Sequence, residues 1–200
     1  MSYYPSLLMD LIRNICRLPG IGEKTAERLA MYILKAPRSE AEQLSRNILK
    51  IKDRIKLCSI CYAFSDGEIC DICRDSTRVS TLLCVVEQPA DMVSIEKSGC
   101  YKGLYHILQG ALSPMNGIGP DKIRIRELIS RMEDNKVKEI ILATGTNVEG
   151  EATASYITQR LKDYPVKITR IASGVPVGGD LKYVDQVTLR KAMETRHTVE

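Results

Sequence analysis

At 200 residues, with 44% hydrophobic and 27% charged, the chain has the make-up of one large or two small globular domains, which excludes intrinsic disorder. No run approaches the roughly eighteen apolar residues of a membrane span, and the opening MSYYPSLLMDLIRNIC carries acid and lacks a signal-peptide layout, so the expected location is cytoplasmic, without membrane contact. The net charge of +4 is uneven: residues 1–56 hold eleven Lys/Arg against six Asp/Glu, residues 57–80 two against four, and the remainder sixteen against fifteen.

The N-terminal surplus marks that part as the candidate polyanion site, although a solvated helical surface would give the same charge count. Residues 6 to 18 place Leu7, Leu8, Leu11, Ile12, Ile15 and Leu18 at helical spacing. Pro19, Gly20 and Gly22 of LPGIGEK break the pattern, and a second helix is predicted from about Glu23 toward Leu34. The bare glycines leave the amides at its start free for a phosphate, and Lys24 and Arg28, at i and i+4, share one face beside the turn. Packing glycines in an αα-hairpin are the alternative, and Glu23 and Glu27 weaken the local field. Nine Tyr, one Phe and no Trp form no aromatic stripe, so contacts to a nucleic-acid backbone are expected rather than base stacking. A third helix carries Leu44, Ile48, Ile51 and Ile55 on one face.

CSICYAFSDGEICDIC then presents Cys58, Cys61, Cys70 and Cys73 as two Cys-x-x-Cys pairs. Each pair can bring two sulfurs to one ion, and four thiolates complete a tetrahedral zinc site with no open position, hence a structural one. Two disulfides or a redox pair are the rivals; a cytoplasmic location disfavours the first and the doubled spacing the second. Cys16, Cys84 and Cys100 read as structural, and neither His106 nor His197 has a context that pairs it with them.

From Thr81 onward strand-like and helix-like segments alternate. The strand TLLCVV precedes a helix around Ala90 to Lys97 and the strand LYHIL. A Pro/Gly loop leads to the helix RIRELISRM, the strand EIILA, a helix from Glu149 to Tyr164 and the strand VKITRI. This alternation predicts a mainly parallel sheet covered by helices, an α/β fold. GVPVGGDLKYVDQVTL closes the chain as a Gly-rich loop, with Asp180 after an apolar turn, running into a helix.

LPGIGEKTAERLA, the four cysteines, CVVEQPADM, LSPMNGIGPDKI, ATGTNVEGEATA and RIASGVPVGGDL, in that order, resemble the RecR family of bacterial recombination mediators nearly end to end. The resemblance implies a helix-hairpin-helix DNA-binding region at residues 1–56 and a four-cysteine zinc finger at 57–78. It further implies a Toprim domain at 79–172 and a C-terminal oligomerisation segment at 173–200. It implies one structural Zn²⁺ on Cys58, Cys61, Cys70 and Cys73, and DNA contacts at Gly20, Gly22, Lys24 and Arg28. It also implies a dimer or ring-like tetramer working with RecO and RecF to help load RecA at gapped or SSB-coated DNA.

Catalytic Toprim domains hold magnesium on an acid after the first strand and an Asp-x-Asp after a later one. Here Glu87 resembles the first acid, but Gly145 and Asn147 stand where the two aspartates would fall, so no catalysis is expected. Glu87, Asp91, Glu149 and Glu151, carboxylates that survive where the catalytic set is gone, are expected to dock partner proteins. A rearranged metal site on Glu87, Glu149 and Glu151 is the enzymatic alternative, and an adaptor that never touches DNA is a third reading. The family's loop usually resembles Asn-Pro-Thr; Gly145-Thr146-Asn147 here is expected to loosen the turn.

Overall fold

A computed structural model describes residues 4–133, 136–196 and 198; His197 lies outside the described residues. The chain divides into two units, residues 1–55 and 56–200.

In the first unit, α1 (Ser6–Cys16) and α2 (Glu23–Lys35) pack around Ile12, Ala26 and Ala30. Alanines one turn apart on α2 let the two helices approach closely, with Leu8, Leu11, Ile15 and Ile21 closing the sides. Helix α1 stops two residues before Leu18, because residues 17–22 turn through Gly20, whose φ of +79° is one that L side chains rarely adopt. Helix α3 (Arg38–Arg54) buries none of its residues, and Leu44, Ile48, Leu49 and Ile51 remain exposed.

The second unit opens with a two-stranded antiparallel ribbon, β1 (Lys56–Leu57) and β2 (Phe64–Ser65), and the short helix α4 (Asp71–Arg74). Behind it stands a parallel sheet in the order β4–β3–β5–β6, made of β3 (Val79–Val86), β4 (Gly103–Ile107), β5 (Glu139–Ala143) and β6 (Lys167–Arg170). Helices α5 (Pro89–Ser98), α6 (Ile125–Ser130) and α7 (Val148–Leu161) link the strands, and α8 (Gln186–Glu194) follows the sheet. Helix α7 ends at Leu161 rather than Tyr164.

The run LLCVV is apolar throughout because both faces of β3 are covered. Leu83 and Val85 join Ile140 and Leu142 of β5 against Leu128 of α6 and Ala154, Ile157 and Leu161 of α7. Cys84 and Val86 face the other way, toward Tyr101, Tyr105, Ile107, the α5 residues Met92 and Ile95, and the four-cysteine segment.

Helix α5 is tied to the sheet by an ion pair. Arg78 donates to both carboxylate oxygens of Glu96 and to Gly103 O at 2.9 Å, and the Tyr105 hydroxyl donates to Glu96 Oε1 at 2.6 Å. The Arg78 guanidinium holds the Glu96 carboxyl below its ordinary range. A depressed value in the folded state contributes stability above the unfolded value of about 4.3, and that stability is lost as pH falls through the folded value. Glu96→Gln is therefore expected to cost about 1–2 kcal/mol at neutral pH. The urea midpoints of variant and wild type should converge on acidification, and equal midpoints at neutral pH would show that the pair contributes nothing.

The sheet also fixes where a site can form. Strand order reverses between β3 and β5, so the crevice beyond their carboxyl ends is the topological switch point of the fold. Val86 pairs with Ala143 there, which brings Glu87 and the Thr144–Asn147 loop out side by side.

Candidate functional site

The four cysteine sulfurs lie within 4.8 Å of one another. A tetrahedron with Zn–S bonds of about 2.3 Å needs sulfurs about 3.8 Å apart, so the set fits one ion with little adjustment. Cys58, Cys61 and Cys70 are buried and Cys73 half-buried. Amides of Ala63 and Cys70 donate to the sulfurs of Cys61 and Cys58 at 3.5 and 3.4 Å, bonds that favour thiolates.

The surroundings favour the thiolate at Cys61 and oppose it at Cys70 and Cys73. A hydrogen bond from Cys73 pushes Cys61 down to about 5, whereas burial pushes Cys70 up to about 11, and the bond to Cys61 pushes Cys73 up. A dication supplies the missing charge. Arg131 offsets part of the remaining negative charge: burial pulls its guanidinium down, and Cys73, Cys61 and Cys58 hold it up.

The metal segment is strapped to the sheet through its backbone. Ile107 N donates to Cys61 O at 2.8 Å, Gln109 Nε2 to Tyr62 O at 2.6 Å, and Arg131 Nη1 to Ile60 O at 3.3 Å and Tyr105 O at 2.8 Å. His106, fully buried, contacts Arg124 O through Nε2 at 2.7 Å and faces Arg131 through Nδ1 at 3.4 Å. Burial pushes it down to about 4, so it is neutral at physiological pH. Cys84 is buried and pushed up to about 12 by desolvation, Cys16 is half-buried and Cys100 exposed.

In the first unit, the segment between α1 and α2 leaves the start of α2 open. Gly22 is the residue before the helix, no side chain caps it, and nothing lies within 4 Å of a Cβ built at Gly20 or Gly22. Helices α7 and α8, by contrast, are capped by Asn147 and Asp185. Lys24 and Arg28 project from the face opposite Ala26 and Ala30, exposed and, among the described residues, without an ion pair. Glu27 is occupied by the Tyr4 hydroxyl, so one of the two nearby acids is already engaged.

At the switch point the four predicted acids are each bonded to protein. Glu87 Oε1 accepts from Gly145 N at 2.7 Å, and Asp91 Oδ2 accepts from Gln88 N at 2.8 Å, closing the start of α5. Glu149 accepts from the Ser113 hydroxyl, and Glu151 pairs with Arg170 at 3.1 Å. Among the described residues, the four cysteines are the one group of three or more His, Cys, Asp and Glu whose ligand atoms converge.

The expected loosening at Gly145 is not what the loop shows. Its N–H goes to Glu87, its carbonyl accepts from Arg170 Nη2 at 2.9 Å, and Asn147 caps α7 through Gly150 N at 2.8 Å. A Cβ on Gly150 would stand 2.2 Å from Gly145 O, so Gly150 is the residue whose lack of a side chain this packing requires. Nothing in the sequence singles out Arg131 or Arg170, although Arg170 opens the stretch RIASGVPVGGDL.

Comparison with known proteins agrees with this layout. Family models match in chain order: the RecR helix-hairpin-helix over residues 8–52, the RecR four-cysteine zinc finger domain over 55–75, the Toprim domain over 81–172 and the RecR C-terminal region over 174–197. The chain is 57% identical to Recombination protein RecR of Desulfatibacillum aliphaticivorans over 98% of its own length and 99% of that protein's. Identity is 52% with the protein of that name from Moorella thermoacetica, covering 99% and 100% of the two chains. It is 50% with the Myxococcus xanthus protein, covering 96% and 98%. The four cysteines are thus a zinc-finger site holding one structural metal ion.

Proposed function

Because this chain belongs to the RecR family of recombination proteins, we propose that it works in recombinational DNA repair as a non-catalytic, DNA-binding mediator. The observation that carries the DNA-binding reading is the open start of α2, where uncapped amides adjoin Lys24 and Arg28, two exposed cations without acidic partners among the described residues. Gly20 and Gly22 keep that surface bare, so a phosphate can approach the backbone. Sequence-independent grip on the sugar-phosphate chain suits gapped duplex and single/double-strand junctions.

The non-catalytic reading is supported by the acids at the switch point. Glu87, Glu149 and Glu151 are committed to Gly145, Ser113 and Arg170, and positions 145 and 147 offer no carboxylate. Their remaining oxygens form an acidic face suited to basic partner proteins, with RecO and RecF as the partners and RecA loading on gapped or SSB-coated DNA as the outcome. Glu149→Ala and Glu87→Ala are expected to weaken RecO binding about tenfold, the effect of one charge-assisted contact. Calorimetric titration reads this, and unchanged affinity in both variants would remove the acids from the interface.

Homo-oligomerisation is supported by helix α3. Its Leu44, Ile48 and Leu49 line an apolar groove with Leu11 and Ile33, in a helix that buries nothing of its own. A second copy of this chain would cover that groove, and residues 173–200 would supply a further contact toward a ring-like tetramer. Light scattering should show Ile48→Glu at a lower mass than wild type; equal masses would exclude the groove as an interface. The place of action is the cytoplasm, at the nucleoid. No helix among the described residues is long and apolar enough to cross a membrane.

A further inference from the structure

The loop that follows β5 is gripped on both sides of one residue. Gly145 N–H meets the Glu87 carboxylate at 2.7 Å, and Gly145 C=O meets Arg170 Nη2 at 2.9 Å. The same guanidinium lies 3.4 Å from Thr144 Oγ1 and 3.1 Å from Glu151 Oε1. Three acceptors from two elements therefore converge on one side chain. The sheet puts it there: Arg170 pairs in register with Leu142, two residues before Thr144, so its side chain starts beside the loop it holds.

We infer that Arg170 is a positioning residue: an internal cation that fixes the Gly145 loop and aims Glu151, so that the acidic face is presented without a bound metal. The Glu151 carboxylate at the mouth of the parallel sheet calls for a positive charge. A divalent ion is one solution, and here the protein provides its own. Arginine suits the task because its planar fork reaches several acceptors at once, whereas a lysine ammonium is a single point of charge. Gly150 is part of the same device, since a side chain there would collide with the carbonyl that Arg170 holds. Glu87 completes it from just beyond the end of β3, so loop geometry depends on residues 58 and 25 positions away in sequence. The role assigned to the face rests on the docking proposal above; the clamp itself does not.

The test is amide exchange of the full-length protein, read by NMR at Gly145 and Gly150, with Leu142 and Val85 as reporters of the sheet. Wild type should protect both loop amides to the same extent in millimolar Mg²⁺ and in buffer without Mg²⁺, with zinc retained in both. Arg170→Met should speed exchange at both by about tenfold or more while the two sheet amides stay protected. Arg170→Lys, which keeps the charge beside Glu151 but not the fork, should fall between. Equal loop exchange in Arg170→Met and wild type would overturn the clamp, as would loss of protection throughout the sheet. Mg²⁺-dependent protection in wild type would overturn the claim that the cation is internal. RecO affinity of the same variants separates the two ideas. A freed loop with weakened RecO binding supports both, and a freed loop with unchanged binding leaves the clamp standing and removes the docking role.

Discussion

Reversing both Lys24 and Arg28 to Glu is expected to abolish binding to gapped DNA while leaving the fold intact. Both side chains are exposed on the face of α2 away from Ala26 and Ala30, so the helix–helix contact is untouched. Each lost phosphate contact should lower the slope of log K against log salt by about 0.9 on duplex, so losing two flattens it by roughly two. The added negative charges then repel the phosphates, and the combined loss at low salt should reach about a hundredfold or more. A gel-shift titration with circular dichroism as the fold control measures both sides of the claim. Normal DNA binding by the double variant would place the DNA site elsewhere.

Removing the metal should have the largest effect on stability. Residues 55–75 contain a ribbon of two two-residue strands and a four-residue helix, and among their apolar side chains other than the cysteines only Ala63 is buried, too little to fold unaided. Metal binding supplies the missing energy, on the order of 10–16 kcal/mol for structural zinc. Cys58, Cys61, Ala63 and Cys70 also pack in one cluster with Tyr101, Tyr105 and Ile107, so loss of the finger uncovers one face of the sheet. Cys61→Ser, or prolonged chelation, should release one zinc per chain, lower the thermal transition steeply and promote aggregation. A chain that gave up its zinc with no change in its transition would show that the cysteines contribute nothing to folding.

How much of this could be read from sequence depended on how local each feature is. The zinc site is local: two Cys-x-x-Cys pairs nearly dictate the geometry, and the sulfurs converge as their spacing requires. The hairpin turn is local too, since Gly20 takes a backbone conformation that favours glycine. Strands β3 and β5 announce themselves because burial on both faces leaves an unbroken apolar run. Arg170 and Arg131 are the opposite case. In sequence each is one more charge beside a strand or helix end; strand register and the approach of the finger are what give them partners. Gly145 misled for the same reason. A glycine in a loop suggests slack, but its peptide groups are held by Glu87 of β3's exit and Arg170 of β6, neither of which is near it in sequence.

As proposed here, the chain grips DNA by the sugar-phosphate backbone and performs no chemistry on it. Incubating the pure protein with gapped duplex and Mg²⁺ across a salt series, then resolving each sample on native and denaturing gels, tests both halves at once. The expected result is a shifted complex that dissolves steeply as salt rises, with every strand intact. Strands cleaved in Mg²⁺ by wild type but not by Glu87→Gln would contradict it, and so would the absence of any shift at low salt.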